Sequence, residues 1–166
     1  MSRASNKWYR ESWSDIQEHR DGITLDAQGE SSWIRALGKM LPPLSEAQND
    51  EFWVNATRER HVATAAAYGL ISIKDEFKKE ERVRAGRVWQ RIHLYGVTQG
   101  LGMHPLNQLN EMNDREKYLG SKGKFSQALE KISGHSLWKG VFIFRIGYPI
   151  NDTHPSPRRD VEEVLL

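Results

Sequence analysis

The chain has no cysteine. Disulfides, thiolate nucleophiles and Cys-ligated metals are excluded at once, so any core must be held by burial and hydrogen bonding. No apolar run approaches the ~18 residues of a membrane span, and residues 1–11 carry no apolar signal core. A cytoplasmic protein without membrane contact is expected. A strong charge of one sign is missing too: 24 Lys and Arg stand against 22 Asp and Glu, a formal net charge of +2. That is too little for a nucleic-acid binder, whose affinity comes from phosphate neutralisation. Repeats and low-complexity segments are also absent.

What the 166 residues contain, 38% hydrophobic and 28% charged, suits one polar globular domain with a single core. Residues 1–60 read as a helical cover or lid. Residues 8–18 are loosely helical, and residues 21–29 form a turn-rich connector. Trp33, Leu37 and Leu41 share helical spacing before Pro42-Pro43, and Ser45 is an N-cap for a helix turning Phe52, Trp53 and Ala56 inward.

Residues 62–73 form a small, apolar run that suits a strand buried on both faces. A long helix over 85–99 places Val88, Trp89, Ile92 and Tyr95 on one stripe. Further helices are expected over 109–119 and 125–132, then an apolar strand over 141–148. Helices with few strands predict an α+β fold, a small central sheet packed by helices.

Two elements carry chemistry. Gly100-Leu101-Gly102-Met103-His104-Pro105-Leu106-Asn107-Gln108 is a glycine-rich turn after the long helix, where glycine permits positive φ and Pro105 fixes the path. Gly100 also reads as an ordinary helix C′ cap. At the other end, Gly147-Tyr148-Pro149 leads to His154-Pro155-Ser156-Pro157-Arg158-Arg159. Two guanidiniums on a Pro-stiffened loop suit a phosphate, although such a pair also serves as solvated charge or as partners for Asp160, Glu162 and Glu163. The histidines show no metal-ligand spacing, so no metal is expected. His104, beside the turn, is the one to test, against the plainer role of a turn residue hydrogen-bonded to backbone. Trp89 and Tyr95 read as core. Ser136 and Ser156 lack a nucleophile-elbow context.

The order helix, Gly-Leu-Gly turn, X-Pro-Leu-Asn, polar helices, apolar strand, Gly-Tyr-Pro and Pro-Arg-Arg resembles the C-terminal half of a flavin-dependent nitroreductase. It is closest to the divergent branch whose longer members fuse two units, and it spans residues 60–166. The resemblance implies a nitroreductase-like domain over 1–166 whose flavin-binding half is 61–166. Flavin mononucleotide (FMN) would be held by Pro105, Leu106, Asn107 and Gln108 at the ring and by Arg158 and Arg159 at the phosphate. NAD(P)H would be the electron donor and a nitroaromatic or quinone the acceptor. No side chain is then an obligatory acid or base, since the cofactor carries the chemistry. The family's interfacial flavin implies a homodimer or a second nitroreductase-like unit.

The chain departs from the family in two places. Asn107-Gln108 stands where many members have Glu-Gly after the Pro-aliphatic step. The N-terminal Arg-x-Ser-x-Arg phosphate element has only poor approximations, Ser2-Arg3-Ala4-Ser5 and Tyr9-Arg10-Glu11-Ser12, while Arg20-Asp21-Gly22 resembles the mid-chain of the two-unit branch. The alternative is thus a non-catalytic flavin-binding or degenerate C-terminal unit of a longer nitroreductase-like protein.

Overall fold

The computed structural model describes residues 8–10, 12–42, 44–121, 123–151 and 153–165. Residues 1–7, which hold the Ser2-Arg3-Ala4-Ser5 element, and Pro43 of the Pro42-Pro43 stop lie outside the described residues. Helices and short strands are mixed in an α+β architecture. The chain divides into two compact units, Met1–Asn55 with Ile150–Leu166, and Ala56–Pro149. The C-terminal segment groups with the N-terminal residues, where the sequence suggested a single division near residue 60.

In the first unit β1 (Tyr9–Arg10) pairs in parallel with β2 (Ile23–Thr24). Between them runs α1 (Trp13–His19), whose first turn is capped by Ser12 Oγ accepting the Asp15 N–H at 3.1 Å. The helix stops at Arg20, a left-handed residue at φ 48° whose N–H reaches Ile16 O. Gly22 follows at φ 88°, where a Cβ would strike the Trp8 carbonyl, so this turn requires glycine.

Helix α2 (Ser32–Gly38) starts at Ser31, and α3 (Glu46–Asn55) starts at the expected Ser45. There Ser45 Oγ accepts the Gln48 N–H at 3.4 Å, while Gln48 Oε1 accepts the Ser45 N–H at 3.0 Å, a capping box. The apolar faces read from sequence stay largely open. Trp33, Leu37, Leu41 and Phe52 are exposed, and only Trp53 and Ala56 are half-buried. Seven residues of α2 make two turns, too short to close a core by helical spacing alone.

The second unit opens with a π-helical segment, Ala56–Val62, and continues into β3 (Ala67–Ile73), α4 (Lys79–Thr98), β4 (Gly102–Pro105), α5 (Gln108–Tyr118), α6 (Lys124–Ser133) and β5 (Lys139–Gly147). The three strands form an antiparallel sheet in the order β3-β5-β4. β5 is central because its alternation of Val, Phe and Ile suits a strand packed on both sides.

The expected doubly buried strand over 62–73 is shorter and sits at an edge, with Ala67 and Tyr68 exposed. The Ala-rich run carries no period that separates helix from strand: residues 63–66 form an irregular turn, and Val62 belongs to the preceding π-helical segment.

Phe142 and Phe144 point to one face of β5. There Trp89 of α4 packs on both rings, with centroids 4.6 and 4.8 Å away. Phe144 also covers Gly69 directly opposite on β3, where any Cβ would collide with its ring. The inward stripe of α4 is Ala85, Trp89, Ile92, His93 and Gly96. Val88 and Tyr95, expected on that stripe, are exposed. Small Ala85 and Gly96 let the helix approach closely, and a Cβ at Gly96 would run into Met103 of β4.

The helix begins six residues before its expected start. Lys, Glu and Arg in the charged stretch are good helix formers. Glu81 in the first turn also accepts the N–H groups of Lys74 and Asp75 at 3.0 and 3.1 Å.

Candidate functional site

The glycine-rich turn is a helix C-terminus with complete capping. Gly100 lies at φ 70°, Gly100 N–H donates to Val97 O and Leu101 N–H donates to Gly96 O, which is the Schellman arrangement. Gly102 is an ordinary strand residue, and a Cβ there would meet only normal van der Waals contact. The conformational demand of the turn therefore falls on Gly100.

Of the four nominated residues here, Pro105 closes β4 opposite Phe144, at a sheet edge where the lost N–H is tolerated. Leu106 N–H then donates to Ile143 O at 2.8 Å, and Asn107 Oδ1 accepts the Ile143 N–H at 3.1 Å. One turn on, Asn110 Nδ2 donates to Gly140 O at 2.8 Å. β4 is four residues long and β5 nine, so these two amides serve the stretch of β5 that β4 does not reach.

Asn107 is also the N-cap of α5, yet its side chain makes no cap hydrogen bond. It is turned to the sheet. The N–H groups at the start of α5, beginning with Gln108, are left without a side-chain cap.

Arg158 and Arg159 belong to the first unit. Both are exposed, and Arg158 has no ion pair among the described residues. Arg159 Nε lies 3.7 Å from Asp21 Oδ2. The other oxygen of Asp21 is held by Arg10, whose Nη2 and Nε donate to Oδ1 at 2.8 and 3.3 Å. The hydrogen bond from Arg10 holds the Asp21 carboxyl below its usual range, opposed by partial desolvation. Asp160 and Glu163, expected to serve the arginine pair, bind Arg20 instead, Asp160 at 3.0 Å. Nothing in local spacing exposes these partners, because Arg20 and Asp160 are separated by 140 positions.

A third cluster lies wholly in the second unit. Arg145 stands opposite Tyr68 on β3 and His104 on β4. Its Nε donates to His104 Nδ1 at 3.3 Å, and its Nη1 faces the carbonyls of Arg60 and His61 at 3.4 Å and Thr64 Oγ1 at 3.3 Å. The two imidazoles meet edge to face, with centroids 4.9 Å apart. Burial first, then the neighbouring His61 and Arg145, push the His104 midpoint down to about 4. Burial likewise lowers those of His61 and Arg145.

His104 is therefore neutral near pH 7. Since an arginine Nε–H only donates, the His104 proton sits on Nε2. Its partner is a side chain rather than the backbone expected from sequence. Arg145 was not singled out from the sequence; the signal was a charge at an alternate position of an otherwise apolar strand.

Among the described residues no three His, Cys, Asp or Glu side chains gather as a metal site, and no helix is long and apolar enough to cross a membrane. No protein-family profile, curated protein or solved structure matches the chain.

Proposed function

We propose that the chain is a nitroreductase-like unit that binds FMN and passes hydride from NAD(P)H to an acceptor such as a nitroaromatic or quinone. The observation that carries the reading is the start of α5. Asn107 gives its side chain to Ile143, so main-chain N–H groups remain uncapped at the segment that the resemblance places against the flavin ring. Uncapped first-turn donors suit acceptor atoms or negative charge on a ligand. The replacement of Glu-Gly by Asn107-Gln108 leaves such main-chain donors intact.

At the phosphate end Arg158 is the stronger candidate, exposed and without an ion pair among the described residues, whereas Arg159 is partly engaged by Asp21. When bound, FMN supplies the hydride relay. The residues of this chain bind and orient it, and none is assigned a proton transfer.

FMN and riboflavin titrations of the full chain, followed by flavin fluorescence, test the reading. Wild type should bind FMN saturably. Arg158→Ala should weaken FMN by about 1.5–3 kcal/mol, the range for a hydrogen bond to a charged group, and leave riboflavin unchanged. Equal losses for both ligands would remove Arg158 from the phosphate. Absence of saturable FMN binding would leave the degenerate form of the alternative, a C-terminal unit of a longer nitroreductase-like protein.

A further inference from the structure

The three-stranded sheet of the second unit has two edges, and they are built differently. β4 is four residues long and ends at Pro105, which has no N–H to offer. β3 runs for seven residues, Ala67–Ile73, with no charged side chain and no proline. Its pairing with β5 slips by one residue between Ile71 and Ser72, but the extra residue, Val141, lies on β5, so β3 itself is unbroken. Charge, proline and a bulge of its own, the usual devices that blunt an edge, are all missing from β3.

Among the described residues β5 is the one strand that pairs with β3. In an antiparallel ladder alternate residues turn both N–H and C=O away from the neighbouring strand. On the outer side of β3 those groups have no hydrogen-bond partner among the described residues. Ala67 and Tyr68 are exposed and residues 69–72 half-buried, which suits a strand packed against α4 on one face and bare along its edge. The remaining strands, β1 and β2, have two residues each and pair with one another. A strand long enough to satisfy β3 must come from another molecule.

We infer that β3 pairs antiparallel with β3 of a second copy, across a two-fold axis at Leu70, to make one six-stranded sheet from two chains. The strand is its own complement. Around Leu70, Tyr68 meets the partner's Ser72 and Gly69 meets the partner's Ile71, so a large side chain faces a small one at each step and no like charges are opposed. The same contact satisfies the outer groups of both strands at once, as a two-fold interface requires. The edges of the joined sheet are then the two copies of β4, whose short, Pro-ended strands recruit no further partner. Assembly stops at two. The inference stands on the sheet edge and does not rest on the flavin reading.

Sedimentation of the full chain over a range of concentrations tests it. A reversible rise from the 19.2 kDa of one chain to twice that mass is expected. Two double variants check the register. Tyr68→Glu with Ser72→Glu sets like charges opposite one another at two places in the pair and should raise the dimer Kd about ten-fold or more. Tyr68→Glu with Ser72→Lys sets opposite charges there and should keep the dimer. Both put the same carboxylate beside Arg145, which lies opposite Tyr68 on β5, so a difference between them reports on the partner strand. If either variant fails to fold, hydrogen exchange of wild type decides: alternate amides of β3 should slow as concentration rises, and those of β4 should not. A mass of 19.2 kDa at every concentration, growth beyond two chains, equal behaviour of the two variants, or β3 exchange indifferent to concentration would overturn the pairing.

Discussion

The two units solve the same problem by different means. The second has a hydrogen-bonded sheet whose central strand carries Phe142 and Phe144 against Trp89, and it buries Leu129 and Phe144 to 4% exposure. The first has a parallel pair of two-residue strands, short helices and many open apolar side chains. Its N- and C-terminal parts are joined largely by charge, with Arg20 on Asp160 and Glu163 and with Asp21 between Arg10 and Arg159. Burial scales with area and is insensitive to salt, whereas exposed pairs are weak and screened. Packing changes should therefore injure the second unit, and ionic conditions the first.

The largest effect should come from Phe144→Ala. It removes the ring that covers Gly69 and contacts Trp89, and Gly69 has no side chain with which to fill the space. Truncations of this kind cost about 3–5 kcal/mol. Urea unfolding followed by Trp fluorescence measures it. A loss below about 1 kcal/mol, the level of a surface change, would mean that the sheet does not depend on this contact.

A smaller effect comes from pH and again belongs to the second unit. Folding holds the His104 midpoint at about 4, below the usual 6.5. Between these values the unfolded chain takes up a proton that the folded chain refuses, so stability is complete above pH 6.5 and declines as pH falls toward 4. With allowance for partial solvent screening the loss is about 2 kcal/mol. His104→Gln should flatten the difference between unfolding free energies at pH 6.5 and pH 4. A variant as steep as wild type would place the titration elsewhere.

The same contrast explains what could be read from the sequence. α5, α6 and β5 fall within a residue or two of their expected limits, because periodic helices and an unbroken β-branched and aromatic strand state their own boundaries. The Gly100 cap was equally legible, being local. The π-helical segment was not anticipated, and neither was the shortened β3, since the Ala-rich residues 63–66 are compatible with helix, strand or turn. The Arg20, Asp21 and Arg145 partnerships depend on residues far away in the chain. Asn107 shows the limit within a site: its place in the turn was visible, but its bond to Ile143 follows from the unequal lengths of β4 and β5.

The smallest effect should be seen at Arg20. It is the one non-glycine among the described residues with positive φ, at the C-cap of α1 where glycine would be easier. Its side chain supplies the reason, since glycine could not bind Asp160 and Glu163. Both carboxylates are exposed, so global stability should barely change in Arg20→Ala. The change should be local: the amides of Val164 and Leu165, which both donate to Val161 O in the last 3-10 turn, should exchange faster with solvent. In about 1 M salt, where the screening length falls to ~3 Å, wild type should approach the variant. Hydrogen exchange at low and high salt measures both. Exchange that is slow in the variant, or indifferent to salt in wild type, would show that the C-terminal segment is held by its backbone bonds, His154 N–H to Asp26 O among them, and that the first unit is less dependent on charge than its ion pairs suggest.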